Sequence, residues 1–168
     1  MFLIRNIKIS VKVKPLVLNN VVKKFNTEGL AFKSFSNFLT FKNNHFTFVC
    51  FKKGKRKHSH INITQIPTFS LIPEALKVIK RLFECPIVSY SVDNIIATSD
   101  LKRSICLKKV IEEKKFDKIK YNNEVFPGLF IKFSSGTVIL FHSGKIVVVG
   151  CKSLDSVQCI IQTVHANI

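Results

Sequence analysis

Five cations fall within six residues at Lys52, Lys53, Lys55, Arg56 and Lys57. Side chains of this kind neutralise phosphate oxygens, so the chemistry they suit is contact with a polyanion. The whole chain agrees, with 27 Lys+Arg against 10 Asp+Glu over 168 residues and a net charge of +17. Residues 1–73 hold 13 basic side chains and one acid, Glu28, giving +12; residues 74–168 hold 14 and nine, giving +5. An A+T-rich coding sequence would by itself raise Lys, Asn, Ile and Phe, and Lys outnumbers Arg 23 to 4. The same bias would raise Glu, yet acids are scarce, which favours nucleic acid as the partner.

Other chemistry finds little support. The five cysteines (Cys50, Cys85, Cys106, Cys151, Cys159) are odd in number and form no CxxC pair, so small buried hydrophobes in a reducing compartment are expected. The histidines (His45, His58, His60, His142, His165) cluster only as His58-Ser59-His60, without further ligands nearby. No metal and no cofactor is expected. There is no GxSxG, P-loop or HExxH, and Glu112-Glu113 sits among lysines that would pair with it, so an enzyme is rejected. No stretch approaches the roughly 20 apolar residues of a membrane span, and the alternating, lysine-bearing start does not read as a signal peptide.

The elements that must carry these residues repeat. Residues 4–13 alternate like a strand and are followed by Pro15 and a helical run, LVLNNVVKKF; residues 87–99 and the run around LKKVIEEKK repeat that order. Residues 35–42 and 45–51 read as strands joined by Asn43-Asn44, matched by 126–133 and 137–141 joined by Ser134-Ser135-Gly136. A further strand follows in each half, at 60–66 and 145–150, and each half closes with a helix, 72–83 and 154–168. The offset is steady: Asn6 to Asn94 is 88 residues, Phe35 to Phe126 is 91 and Phe51 to Phe141 is 90. The expected fold is α+β, a pseudo-two-fold saddle of two repeats (1–84 and 85–168) in one continuous domain. Its curved antiparallel sheet of about ten strands carries four helices on one face. The other face stays open, and apolar side chains there mark a binding surface.

YNNEVFPGLFIKF at 121–133 and ILFHSGKIVVVGCKS at 139–153 resemble the TATA-box-binding protein family, as does VDNIIATSDL at 92–101. The first half resembles it more distantly, through RNIKISV at 5–11 and TFVCFKKGK at 47–55. The resemblance implies a general transcription initiation factor that binds A+T-rich duplex DNA in the minor groove and bends it. The family is itself a standard example of minor-groove bending by inserted apolar wedges. Phe35 and Phe51 match one wedge pair, Phe126 and Phe141 the other. Asn6 and Asn94 match the asparagines that donate to base-edge acceptors. Thr64 matches the outward threonine of the last strand, and its counterpart Val149 lacks that donor.

The basic run at 52–57, with Lys132 and Lys145, would contact phosphate. Departures from the family pattern accompany these matches. The family's stirrup arginine corresponds to Phe41 in the first half and Lys132 in the second, and Lys8 replaces an apolar groove-facing residue. Glu124 matches the acid that engages TFIIB, and Lys77, Lys80 and Arg81 resemble the helix that engages TFIIA. TFIIB-like and TFIIA-like factors and the RNA polymerase machinery are therefore implied partners, with no membrane among them. The alternative is a scaffold that keeps the fold and binds transcription proteins with weak or no DNA bending. The divergent first half and the coding bias point to a large DNA virus or a reduced intracellular eukaryote. Localisation would then be nuclear, or the cytoplasmic site of viral transcription.

Overall fold

The computed structural model describes residues 1–43, 45–51 and 58–168. These group into two compact units, a first unit of Asn6–Val92 and a second of Met1–Arg5 with Asp93–Ile168.

In the first unit, β1 (Phe2–Val13, from Asn6 on) is followed by α1 (Leu18–Thr27), β2 (Phe32–Ser34), β3 (Phe38–Lys42), β4 (Thr47–Phe51), β5 (Ser59–Ile66) and α2 (Ile72–Phe83). Hydrogen bonding orders the antiparallel strands β2-β3-β4-β5-β1. The period-2 alternation of β1 puts Ile7, Ile9, Val11 and Val13 into the core, with Phe48, Ile61 and Ile63 from the neighbouring strands. Val21 and Phe25 of α1, and Ala75, Ile79 and Leu82 of α2, recur at helical spacing and cover that face. Pro73 stands in the first turn of α2, where its missing N–H costs nothing, and Glu84 ends the helix in the left-handed region (φ 48°). The loop before β4 is built by Asn43, whose Oδ1 accepts from the N–H groups of His45 and Phe46.

The second unit repeats the plan with β6 (Ile87–Asp100, from Asp93 on), α3 (Leu107–Glu112), β7 (Ile119–Lys120), β8 (Leu129–Phe133), β9 (Gly136–Leu140), β10 (Lys145–Cys151) and α4 (Leu154–Asn167). Its strand order is β6-β10-β9-β8-β7. Helix α4 packs on β9 and β10 through Val157, Ile160, Ile161 and Val164, over Leu140, Ile146 and Val148. Ser153 caps its N-terminus by accepting from the Ser156 N–H at 3.2 Å.

Several expectations need correction. Residues 35–42 are not one strand, because Phe35–Asn37 turn the chain between β2 and β3, with Phe35 N–H donating to Phe38 C=O at 2.8 Å. Strand β8 starts at Leu129 rather than at Phe126, since Pro127 has no N–H for a ladder. Helix α3 stops at Glu112 instead of running to Lys115, and Lys114 lies in the left-handed region (φ 50°). Of the cysteines, only Cys50 and Cys151 are buried; Cys85 is half-buried, whereas Cys106 and Cys159 are exposed. Both exposed thiols sit next to a helix start or on an outer helix face, where the apolar stripe supplied by neighbours leaves them no core position. Among the described residues, no helix is long and apolar enough to cross a membrane.

Candidate nucleic-acid interface

Among the described residues, each unit breaks its strand register at the same place. In the first, Ile9 pairs with Ile63 but Ile7 pairs with Ile66, so Thr64 and Gln65 together face Lys8. In the second, Val148 pairs with Ala97 but Cys151 pairs with Ile95, so Val149 and Gly150 together face Ile96. The second residue of each bulge has a left-handed backbone, Gln65 at φ 65° and Gly150 at φ 86°. The bulge turns that residue's N–H out of the ladder, and an asparagine collects it. Asn6 Oδ1 accepts from Gln65 N–H at 2.8 Å, and Asn94 Oδ1 accepts from Gly150 N–H at 2.6 Å. A backbone donor can be met only by the amide oxygen, so both side chains are fixed in orientation. Asn6 and Asn94 alternate with buried Ile7 and Ile95, which puts both on the helix-free face, and this contact leaves the Nδ2 donors of each amide unused.

The phenylalanines form one cluster per unit at the margin of that face. Phe35 and Phe51 are 46% and 39% exposed, and Phe38 joins them, stacked on Phe35 at 4.4 Å and tilted against Phe51 at 6.3 Å. In the second unit Phe126, 36% exposed, lies 5.3 Å from Phe130 and 5.9 Å from half-buried Phe141. Gly128 lets this happen, because a Cβ there would stand 2.6 Å from the Phe126 ring and 2.6 Å from Ile139. Phe38 and Phe130 are absent from the candidates that the sequence pattern supplies. Counting outward positions from buried Leu39 and Leu129 finds both, as the side chains on the opposite face.

Register also corrects the stirrup cation. Lys132 is exposed and pairs with Thr137; the residue that pairs with the matching Thr47 is exposed Lys42, not Phe41. Phe41 is 5% exposed, stacked on Phe48 at 4.5 Å, and so belongs to the core. The first unit has three residues between Phe35 and Leu39, whereas the second has two between Phe126 and Leu129. A slip of one residue reverses the face of every side chain after it. Lys145 is exposed at the start of β10, opposite Asp100. Thr64 and Val149 are both half-exposed on the helix-free face at matching bulge positions. Lys52, Lys53, Lys55, Arg56 and Lys57 lie outside the described residues.

The remaining candidates are apart from that face. Glu124 is exposed in the turn that precedes Phe126, where Asn122 Oδ1 accepts from Glu124 N–H at 3.2 Å and Asn122 C=O accepts from Phe126 N–H at 2.9 Å. Val125 beside it is 82% exposed. Lys77, Lys80 and Arg81 stand on the outer side of α2. Burial pushes the thiols of Cys50, Cys85 and Cys151 up from their ordinary range, which keeps them protonated and poor as nucleophiles or ligands.

Residues 89–168 match the family described as transcription factor TFIID, or TATA-binding protein. Over 73 residues the chain is 45% identical to the TATA-box-binding protein of Thermococcus sibiricus and 41% identical to that of Thermococcus kodakarensis. Each match covers 42% of this chain but only 38% and 37% of the relative, so it spans less than half the length of either. The structure of the TATA-binding protein of Methanococcus jannaschii superimposes with a TM-score of 0.81 at 19% identity, over 99% of this chain and 97% of that one. At that identity the likeness is one of fold, and it extends through the first half, where the sequence alone is faint. The chain therefore has the fold of the TATA-binding protein, and its residues 89–168 match that family's model.

Proposed function

We propose that the chain binds duplex DNA through the minor groove at A+T-rich sequence, bends it by inserting phenylalanines, and acts in transcription initiation. The observation that carries this reading is the duplicated constellation of a bulge-held asparagine and an exposed phenylalanine cluster. The fixed Nδ2 donors suit the A N3 and T O2 acceptors of the groove floor. Rings such as Phe126 suit a wedge that unstacks a flexible base step. Exposed Lys42, Lys132 and Lys145, with the cations at 52–57, supply phosphate contacts that position without specifying. Glu124 and the basic side of α2 suit docking of TFIIB-like and TFIIA-like proteins, at the site of transcription in the nucleus or in a viral factory.

The test is a mobility-shift and fluorescence bending assay on A+T-rich against G+C-rich duplex, with Phe126→Ala/Phe141→Ala as the comparison. Selective binding with a bend that the double substitution abolishes is expected. Salt-sensitive binding that ignores both base composition and the substitution would overturn the wedge mechanism. Capture of transcription proteins without DNA binding would establish the scaffold instead, a reading favoured by exposed Glu124 and Val125.

A further inference from the structure

The helix-free faces of the two units share a frame and differ in what fills it. Asn62 pairs across the sheet with Ser10 and Val49; its counterpart Val147 pairs with Thr98 and Ile139. At the bulges, Thr64 stands where the second unit has Val149, and Lys8 where it has Ile96. The second unit therefore places aliphatic Ile96, Val147 and Val149 where the first has Lys8, Asn62 and Thr64, while both units keep a hydroxyl at Ser10 and Thr98 and at Thr47 and Thr137. In the first unit the polar groups bond to one another. Ser10 Oγ donates to Asn62 Oδ1 at 2.9 Å, and Thr47 Oγ1 donates to Gln65 Oε1 at 2.9 Å.

This difference has a direct chemical meaning in a minor groove. A G·C pair differs there from A·T by one added donor, the guanine N2 amino group. An aliphatic surface closes over that donor and leaves it without a partner, so the pair is rejected. A carbonyl oxygen has two lone pairs and a hydroxyl that donates can still accept, so Asn62 Oδ1 and Thr64 Oγ1, which the second unit lacks, can each take that hydrogen. We infer that the two units read different half-sites: the second demands A·T pairs, whereas the first accepts G·C, with Asn62 and Thr64 as the residues that decide it. This rests on the proposed minor-groove binding and adds which base pairs each half takes.

The experiment measures equilibrium binding of the whole chain to a non-palindromic A+T-only duplex and to two derivatives carrying G·C pairs in one half or the other. The readout is the ratio of each derivative's Kd to the A+T-only Kd for the same protein, so changes in overall affinity cancel. For the unsubstituted chain, G·C in one half should cost about tenfold or more, and in the other no more than about threefold. Asn62→Val, and separately Thr64→Val, should raise the smaller ratio towards the larger. Val147→Asn should lower the larger one. Two equal ratios in the unsubstituted chain, or ratios that none of the three substitutions moves, would overturn the inference while leaving minor-groove binding in place. Failure to bind even the A+T-only duplex would overturn both.

Discussion

The proposed binding mode gives Asn94 two tasks on two different atoms, and they can be separated. Its Oδ1 satisfies the bulge N–H of Gly150, a structural contact that leaves the Nδ2 donors unused. A carboxylate accepts the same backbone hydrogen but has nothing to donate and carries a charge facing the groove acceptors. Asn94→Asp should therefore fold as the parent does, within about 1 kcal/mol by urea unfolding, yet lose about tenfold or more in affinity for A+T-rich duplex. Asn94→Ala should instead lose stability and affinity together, because the Gly150 N–H is left unmet. The thiols give a second test at this scale. Burial raises the Cys50 thiol, with the neighbouring Cys85 thiol adding to the effect, and burial alone raises Cys151. A raised thiol stays protonated as pH climbs past its ordinary value, so thiolate is scarce at pH 8. Iodoacetamide at pH 8 should modify exposed Cys106 and Cys159 at least about tenfold faster than Cys50 and Cys151. Mass spectrometry of the alkylated peptides reads this, and denaturant should erase the difference.

Among the elements, α1 buries Leu18, Val21 and Phe25, and the Phe25 ring reaches three neighbours at once. Phe25 meets Phe41 at 4.9 Å, Phe32 at 5.7 Å and Phe83 at 5.9 Å, all edge-on, and so ties α1 to β2, β3 and α2. Phe25→Ala should cost about 3–5 kcal/mol in urea unfolding, since the rings around it cannot all collapse into the space. The elements also show what the sequence could reveal. Strand β1, the second half of β6 and helices α2 and α4 stand out because they are long and keep one period, as in the helical spacing of Ala75, Ile79 and Leu82, and β5 and β10 alternate up to their bulges. Edge strands β2 and β7 span three and two residues, too short for any periodicity to register. Phe41 escapes a sequence reading for a related reason. A motif match through Phe35 carries no information about the extra turn residue ahead of Leu39, and that residue exchanges the faces of Phe41 and Lys42. The asparagine pair is legible from its constant spacing, but its partners Gln65 and Gly150 come together only through a bulge, which leaves no pattern in the sequence.

At the scale of the whole molecule, the proposed binding mode has the charge of +17 and the side chains of the helix-free face act on different observables. Cations that meet phosphate release counterions, so affinity falls with salt by roughly 0.9 in log–log slope for each phosphate neutralised, whatever the bases. Side chains on the groove floor leave that slope alone and change the ratio between sequences. Lys132→Ala and Lys145→Ala should each weaken binding to A+T-rich and G+C-containing duplexes by the same factor and flatten the salt slope by about 1. The run at 52–57 contributes five of the 13 cations in residues 1–73, so it tests whether charge in the first half is contact or mere solvated loop. Replacing all five with serine should flatten the slope by about 4.5 if each meets a phosphate. It should also slow association, because a basic region raises the encounter rate with a polyanion. A slope unchanged within error would mean that the run touches no phosphate, and exposed Lys42 and its neighbours on the described strands would have to supply the positioning. Measuring Kd at four or more salt concentrations, with association rates by stopped flow, separates the two outcomes. The same data set also locates selectivity, since only substitutions on the sheet face should move the A+T to G·C ratio.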